Sequence, residues 1–313
     1  MDLPDAVLEA LSDRYRVERE IGKGGAAVVY LAEDLRDGRP VALKILKRAA
    51  GAAVGTERFL AEIRITAALE HPHILPLLDS GEAAGRLYYA MPYLAEGSLR
   101  DRLTAGGALP VAEAVRLLRQ VAEALEHAHQ AGIIHRDVKP ENILLQGGLA
   151  LVADFGIARA SSTSLAGRRT TAGIVLGTPA YMAPEQAIGD GNLDHRADLY
   201  GFGVLAFEAL AGQPLFAAPN PQALIAAHVA QPPPRLHEVQ HAVPRPVSDL
   251  VAKCLEKDPR KRWQHAAEIA KRLRGIEAAG AGSALSRHRA GCRRWVTRAG
   301  ATALAAIAWL ALR

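Results

Sequence analysis

The sequence predicts an α+β fold of two lobes, a small strand-rich lobe followed by a larger helical lobe. The chain has 313 residues, of which 50% are hydrophobic and 23% charged, so it can bury a substantial core. Short apolar runs at 21–30, 41–46 and 87–91 are typical of strands. Apolar residues recur at helical spacing over 111–131, which predicts a long packed helix. We expect His129, on this helix, at the surface.

Charge and cysteine content limit the classes of function. The formal net charge is +5, but six arginines and a single glutamate follow residue 275, so the preceding body is formally neutral and does not favour a nucleic-acid partner. Cys254 and Cys292 lack the paired spacing of a disulfide framework or a zinc site, which suits a reducing compartment. No apolar signal-peptide core occurs between Met1 and Arg19, so we expect the catalytic part to be cytoplasmic.

A glycine cluster occupies the first strand-like run, at Gly22, Gly24 and Gly25. Glycine allows backbone N–H groups to approach phosphates closely, which predicts a strand-loop-strand lid over a nucleotide. The pattern is not a Walker A loop, because no G-x-x-x-x-G-K-[ST] is present and strand-like runs flank it on both sides. A lone cluster of this kind does not identify a function.

The strand-like run 41–46 carries a single charged residue, Lys44. On an alternating strand such a lysine could simply face solvent. A segment rich in acids and arginines, residues 56–63, follows it and predicts a helix. That helix gives Lys44 candidate carboxylate partners.

Residues 135–142 place a carboxylate, two cations and an amide close together. Phosphoryl transfer needs a carboxylate to orient a hydroxyl, positive charge at the moving phosphoryl group and a bound Mg2+. Asp137, Lys139 and Asn142 can supply these three functions.

A hairpin is predicted directly after this stretch, because the apolar runs 143–145 and 149–152 are separated by the turn-like residues 146–148. A hairpin brings its two ends together. Asn142 enters it and Asp154 leaves it, so two oxygen ligands for Mg2+ should converge at its open end.

The pattern H-R-D-x-x-x-x-N followed by D-F-G resembles the catalytic and metal-binding loops of the eukaryotic-type protein kinases, and the chain is similar to their bacterial Ser/Thr members. Either motif alone could arise by chance, but together, at this spacing, coincidence is remote. The resemblance implies a two-lobed protein kinase fold that uses ATP and Mg2+, with Mn2+ as an alternative. It makes Asp137 the catalytic base and Asn142 and Asp154 the metal ligands, while Lys139 matches the Ser/Thr subgroup.

The resemblance covers about residues 15–275, with an N-lobe of about 15–91 and a C-lobe of about 95–275. Residues 1–14 are then an N-terminal extension. The last helix of the domain is expected from about residue 266 to 273.

The resemblance also implies how phosphates are held. Lys44 matches the lysine of the V-A-I-K strand, which contacts the α- and β-phosphates. Its expected ion-pair partner is Glu62, with Glu57 as the alternative. The glycine cluster matches G-x-G-x-x-G-x-V, except that Ala27 replaces the third glycine.

The expected contacts with adenine lie in the hinge, directly after the gatekeeper Met91. Pro92 has no N–H but keeps its carbonyl, so we expect the Pro92 C=O and the Leu94 N–H to serve adenine. Other residues are expected to form apolar walls, although each could equally be plain core. The full set of expected nucleotide-binding residues is Ile21, Gly22, Gly24, Val29, Ala42, Lys44, Met91, Pro92, Leu94 and Leu144.

Residues 159–171 are small, hydroxyl-bearing or basic, which is typical of a segment that stays mobile until something orders it. The segment resembles an activation loop. Thr170 and Thr171 are the expected autophosphorylation sites, with 161–164 as secondary candidates. A phosphate there could pair with Arg136 and order the substrate platform.

Residues 177–185 resemble the segment that ends in A-P-E and receives the peptide substrate. Thr178 favours Ser/Thr acceptors. The resemblance implies that Glu185 forms a buried ion pair with Arg262, and that Asp198 caps the backbone of the loop around Asp137. A plain acid at a helix N-terminus is the alternative for Asp198.

The tail begins with a basic Ala/Gly/Arg linker at 276–298 and ends with an uncharged run at 299–312. As a helix this run would be about 21 Å long, short of the roughly 30 Å hydrocarbon core. Flanking arginines can snorkel and the basic side lies toward the catalytic domain, as the positive-inside rule expects. We expect a membrane-anchoring segment, with a soluble helix packed on the kinase as the alternative.

We therefore expect an active Ser/Thr protein kinase that phosphorylates proteins in bacterial signalling, and that self-associates for trans-autophosphorylation. One alternative is a pseudokinase scaffold, which would normally lack Lys44, Asp137 or Asp154. The other is a small-molecule phosphotransferase, which would lack the 177–185 segment and the arginine at Arg136.

Overall fold

An antiparallel sheet forms the first lobe in the computed structural model, which describes residues 4–25, 27–47, 63, 66–155 and 179–279. The strands of this sheet are β1 (Tyr15–Lys23), β2 (Ala27–Asp34), β3 (Arg39–Leu46), β4 (Asp79–Ala83) and β5 (Arg86–Pro92). Their order across the sheet is β1-β2-β3-β5-β4. The strand-loop-strand predicted at the glycine cluster corresponds to β1 and β2, and the later strand runs correspond to β3 and β5.

The two faces of β3 have different surroundings. On one face its apolar residues pack with α1 (Asp5–Leu11), whose Val7 and Leu11 are buried. Because strand residues alternate between faces, the other face carries Ala42 and Lys44. The N-terminal extension therefore contains a helix that covers one face of the sheet, and Lys44 lies on the face that α1 does not cover.

Helices form the second lobe. In chain order they are α2 (Leu99–Gly106), α3 (Val111–Gln130), α4 (Pro184–Ala187), α5 (Arg196–Ala211), α6 (Pro221–Ala230), α7 (Leu236–Val239), α8 (Arg245–Cys254) and α9 at residues 266–279. The long helix predicted over 111–131 is confirmed as α3. All residues of α5 from Ala197 to Leu210 are buried, which fits a helix that is apolar all round.

The last described helix, α9, runs to residue 279, beyond the end expected at about residue 273. Its final turns are fixed to α3 by two ion pairs, Arg119–Glu277 and Arg274–Glu123, both with N–O distances of 2.8 Å. Residues 276–279, expected to begin a linker, are therefore helical. The local excess of Ala and Gly did not reveal these long-range pairs.

The predicted hairpin is confirmed as β6 (Ile143–Gln146) and β7 (Leu149–Val152). The strands leave a two-residue turn, Gly147-Gly148, one residue shorter than predicted. These glycines have φ angles of 57° and 77°. A type I′ turn requires positive φ at both central positions, which glycine adopts without strain.

None of the helices in the described part of the chain is long and apolar enough to cross a bilayer. The uncharged run 299–312 lies outside the described residues.

Candidate active site

Asp198, in the first turn of α5, anchors residues 135–142, referred to below as the catalytic loop. Its carboxylate accepts hydrogen bonds from the backbone N–H groups of His135, at 2.8 Å, and Arg136, at 2.6 Å, so it caps the loop as the resemblance implied. Asp198 is 1% exposed. Burial alone would raise the pKa of Asp198, but the hydrogen bond and charge of His129 and the backbone donors hold that pKa below its usual range.

His129 completes this arrangement from α3. Its Nε2 lies 2.8 Å from Asp198 Oδ2, and its side chain is only 6% exposed. The expected surface position of His129 is therefore wrong. Helical spacing within α3 could not reveal the contact, because it arises only where α3 packs against α5.

His135 links the catalytic loop to the residue before Asp154. It is fully buried, its Nδ1 accepts the backbone N–H of Asp137 at 3.2 Å, and its Nε2 lies 2.9 Å from the carbonyl of Ala153. Because Nδ1 acts as an acceptor, Nε2 carries the proton and donates to this carbonyl. The imidazole thus holds together the two segments that carry Asp137 and Asp154.

Arg136 adopts a left-handed backbone conformation with φ of 68°, which is uncommon for a residue other than glycine. Its N–H donates to Asp198, and its carbonyl accepts a hydrogen bond from Gln186 Nε2 of α4 at 3.0 Å. Strained backbone of this kind persists where neighbours determine it from several sides. The catalytic loop is therefore attached to both α5 and α4.

Asp137, Lys139 and Asn142 converge as the sequence predicts. Lys139 Nζ lies 2.5 Å from Asp137 Oδ2. The Asn142 amide nitrogen donates to the Asp137 carbonyl at 2.7 Å. Since the nitrogen serves as a donor, the atom of Asn142 that could bind a metal is its Oδ1 oxygen.

Asp154, which follows β7, connects the second lobe to the sheet of the first. Its Oδ2 is 2.7 Å from Lys44 Nζ on β3, and its Oδ1 accepts a hydrogen bond from the Tyr89 hydroxyl on β5 at 2.6 Å. Burial alone would raise the pKa of Asp154, but the charge of Lys44 and the hydrogen bonds from Lys44 and Tyr89 hold that pKa below its usual range. The expected partners of Lys44, Glu62 and Glu57, lie outside the described residues.

Tyr89 was missed by sequence reasoning. It lies in the strand run ahead of the hinge, two residues before Met91, so strand alternation places both side chains on one face of β5. That spacing was the available signal, but the contact with Asp154 depends on how the second lobe meets the sheet.

The donor set at the open end of the hairpin fits Mg2+. The backbone N–H of Ala153 donates to the Asn142 carbonyl at 2.9 Å, so the two ends of the hairpin are adjacent as predicted. One ionised carboxylate and one amide oxygen suit Mg2+, which proteins bind through one or two side chains together with phosphates and water. Across the described ranges no group of three or more His, Cys, Asp and Glu residues could hold a metal.

The expected nucleotide-binding residues are brought to one region of the molecule. In the sheet, Val29 pairs with Lys44 and Ala42 pairs with Met91. Met91 also packs with Leu94 and Leu144 of the second lobe. The members of the set are Ile21 and Gly22 in β1, Gly24 just after β1, Val29 in β2, Ala42 and Lys44 in β3, Met91 and Pro92 in β5, Leu94 beyond it, and Leu144 in β6. Their role in binding nucleotide stays a prediction.

The expected ion pair between Glu185 and Arg262 is present and buried. The guanidinium makes two hydrogen bonds to the carboxylate, at 2.5 and 2.7 Å, and Arg262 is 1% exposed. It also donates to backbone carbonyls, which are those of Arg196, Glu256 and Lys257. The pair therefore ties α4 to the segment before α9.

A second ionic cluster beside the catalytic loop was not expected from the sequence. Arg100 of α2 contacts Glu141 of the loop at 2.9 Å and Glu208 of α5 at 2.7 Å. It also donates to the hydroxyl of Tyr181, which itself hydrogen-bonds to Glu208. The cluster joins four segments that are distant in sequence, so no local motif marks it. The predicted regulatory and substrate residues Thr170, Thr171 and Thr178 lie outside the described residues.

The model of the protein kinase domain family matches residues 15–272. The chain belongs to the protein kinase domain family. It is 41% identical over 283 residues to the serine/threonine-protein kinase pkn2 of Myxococcus xanthus, covering 88% of this chain and 34% of that protein. It is 40% identical over 268 residues to the serine/threonine-protein kinase PknB of Mycobacterium leprae, covering 83% of this chain and 42% of that protein.

The kinase fold also has a solved counterpart. The crystal structure of Rad53 1–466 in complex with AMP-PNP matches with a TM-score of 0.68 and 25% identity, over 84% of this chain and 65% of that one. The expected two-lobed protein kinase fold is therefore confirmed. The chain spans less than half the length of the two curated relatives.

The contacts of Asp198 predict a pH-dependent contribution to stability. Asp198→Asn places an amide donor near backbone N–H groups, so the free energy of unfolding at pH 7 should fall by about 1–3 kcal/mol. Because the pKa of Asp198 is lowered in the folded state, its stabilisation is complete above the unfolded value of about 3.9 and is lost as the pH falls through the lower, folded value. Denaturant unfolding at several pH values measures this difference.

The matched control is Asp249→Asn, since the Asp249 side chain is 68% exposed. Its unfolding free energy should stay close to that of the unmodified chain throughout. An Asp198→Asn difference that stays constant down to acidic pH would contradict the assignment.

Proposed function

We propose that this chain is an ATP-dependent protein Ser/Thr kinase. The observation that carries the proposal is the pairing of Asp137 with Lys139 in the catalytic loop and of Asp154 with Lys44 across the lobes, on segments that meet at the open end of one hairpin. The relatives are serine/threonine-protein kinases by name, which supports serine and threonine as the acceptors. The AMP-PNP in the Rad53 structure supports ATP as the donor. The sequence does not support the pseudokinase alternative, because Lys44, Asp137 and Asp154 are all present.

We assign a role to each side chain from its position and from the family resemblance. Asp137 orients the acceptor hydroxyl of a serine or threonine and accepts its proton. Lys139, in contact with Asp137, places positive charge beside the transferred phosphoryl group. Lys44 contacts the α- and β-phosphates. Asn142 and Asp154 would hold Mg2+, with Mn2+ as an alternative, and the cation would neutralise phosphate charge when bound.

Two substitutions test this chemistry. Lys44→Met and Asp137→Asn should each lower phosphate transfer from ATP to a protein acceptor by roughly 100-fold or more, because they remove phosphate positioning and the base respectively. Incorporation of labelled phosphate by the purified full chain is the measurement. The exposed residues Lys271 and Asp249 provide matched controls, Lys271→Met and Asp249→Asn, which should retain activity. Undiminished transfer by Asp137→Asn would overturn the mechanism.

Regulation by autophosphorylation is the second part of the proposal. Arg136 directly precedes the base and is held by α5 and α4, so a phosphate that pairs with it could order the substrate platform against a fixed element. Thr170 and Thr171 are the proposed sites on sequence grounds. If two copies of the chain associate for the reaction, the initial rate per molecule should rise with protein concentration.

Mass spectrometry of active protein should find phosphate on Thr170 or Thr171, and Thr170→Ala/Thr171→Ala should reduce activity. The residual activity of that double variant should exceed that of Asp137→Asn, since only control is lost. Full activity in the double variant, or unmodified threonines in active protein, would remove this control model.

Attachment to the cytoplasmic face of a membrane through 299–312 is also proposed, with the kinase domain in the cytoplasm. The support is the uncharged run between Arg298 and Arg313, with Trp295 ahead of it and Trp309 within it. Cell fractionation should place the full chain with membranes and a version ending at residue 279, the last described residue of α9, in the soluble fraction. Equal recovery of both versions in the soluble fraction would mean that no anchor exists.

A further inference from the structure

The hydroxyl of Tyr89 donates a hydrogen bond to the carboxylate of Asp154. Tyr89 is 1% exposed, and its ring packs with Ile63, Leu77 and Met91. A buried tyrosine hydroxyl needs a hydrogen-bond partner. Here the partner is a proposed metal ligand, at an O–O distance of 2.6 Å, which is typical of a hydrogen bond to an ionised acceptor.

The two carboxylate oxygens of Asp154 are held by different donors. Lys44 contacts Oδ2 at 2.7 Å, and Tyr89 contacts Oδ1. The torsion that rotates a carboxylate is soft, and lysine is a flexible donor, so Lys44 alone would leave the plane of the carboxylate poorly defined. Tyrosine has few rotatable bonds and this ring is packed, so its hydroxyl is the more rigid of the two donors.

Sheet pairing sets this arrangement. Lys44 and Tyr89 are direct partners across β3 and β5, so their side chains leave the same face of the sheet together. Asp154 itself has a φ of 65°, a conformation that needs support from its surroundings. Tyr88, the residue before Tyr89 in β5, points to the opposite face of the sheet and packs against Tyr15 at a ring distance of 6.1 Å.

We propose that Tyr89 is a positioning residue for the metal site, which fixes the carboxylate of Asp154 in the orientation that binds Mg2+. The proposal rests on the proposed function. Partners of metal-binding side chains typically contribute 10–100-fold to metal affinity. A purely structural tyrosine would instead contribute to stability alone.

Tyr89→Phe removes one oxygen atom and keeps the ring, and Tyr88→Phe is the same change on the other face. A fluorescent ATP analogue, titrated onto the full chain in EDTA and at increasing Mg2+, separates nucleotide binding from metal binding. For Tyr89→Phe we expect unchanged affinity in EDTA and a roughly tenfold higher Mg2+ concentration for half-maximal enhancement of nucleotide binding. In turnover, KM for Mg-ATP should rise at limiting Mg2+, while kcat recovers at saturating Mg2+.

Tyr88→Phe should match the unmodified chain in every one of these measurements. Equal Mg2+ requirements in the two variants would overturn the proposal, even if Tyr89→Phe unfolds at lower temperature. Should Tyr89→Phe fail to fold, as judged by binding in EDTA, Tyr89→Met also lacks the donor and must show the same shift. Absence of Mg2+-dependent binding and transfer in the unmodified chain would instead defeat the proposed function.

Discussion

The buried carboxylate of Asp198 is the constraint on which the catalytic loop depends. An ionised carboxylate buried at this position would cost several kcal/mol of stability if it had no partner. The N–H groups of His135 and Arg136 and the ring of His129 supply its partners. Its place in the first helical turn also suits the helix dipole. The loop and α5 therefore stabilise each other. Asp137 directly follows Arg136, so these contacts also fix the position of Asp137.

A continuous path of contacts runs from this anchor to the first lobe. His135 connects the catalytic loop to the Ala153 carbonyl, and Asp154 follows directly in the chain. The carboxylate of Asp154 then reaches Lys44 and Tyr89 on neighbouring strands. Because both strands belong to one sheet, a shift of the sheet relative to the second lobe must move or break these bonds. The geometry of the candidate metal site therefore depends on the relative position of the two lobes.

Local sequence was sufficient for features whose causes are local. The hairpin followed from two apolar runs and the Gly147-Gly148 turn, and α3 followed from its periodicity. The predicted hairpin placed Asn142 and Asp154 correctly at its two ends. The contact of His129 with Asp198 was misjudged and that of Tyr89 with Asp154 was missed, because both require two packed elements.

The same distinction explains the extra turns of α9 and the cluster around Arg100. Their stabilising partners, such as Glu123 for Arg274 and Glu208 for Arg100, lie more than a hundred residues away in the chain. Family resemblance supplied one long-range pair, Glu185 with Arg262, that spacing alone could not. Without a resemblance, a charged residue read singly is assigned to the surface.

That buried pair shows what such charges contribute. A buried ion pair contributes little net stability, since desolvation offsets its attraction. The planar guanidinium of Arg262 nevertheless fixes direction, because its donors reach Glu185 and three backbone carbonyls at once, a geometry that lysine cannot reproduce. Through Glu185, Arg262 holds α4 in place. Gln186 of α4 in turn donates to the carbonyl of Arg136, whose backbone is in the left-handed region. The ion pair therefore contributes to the position of Asp137 although it lies outside the site itself.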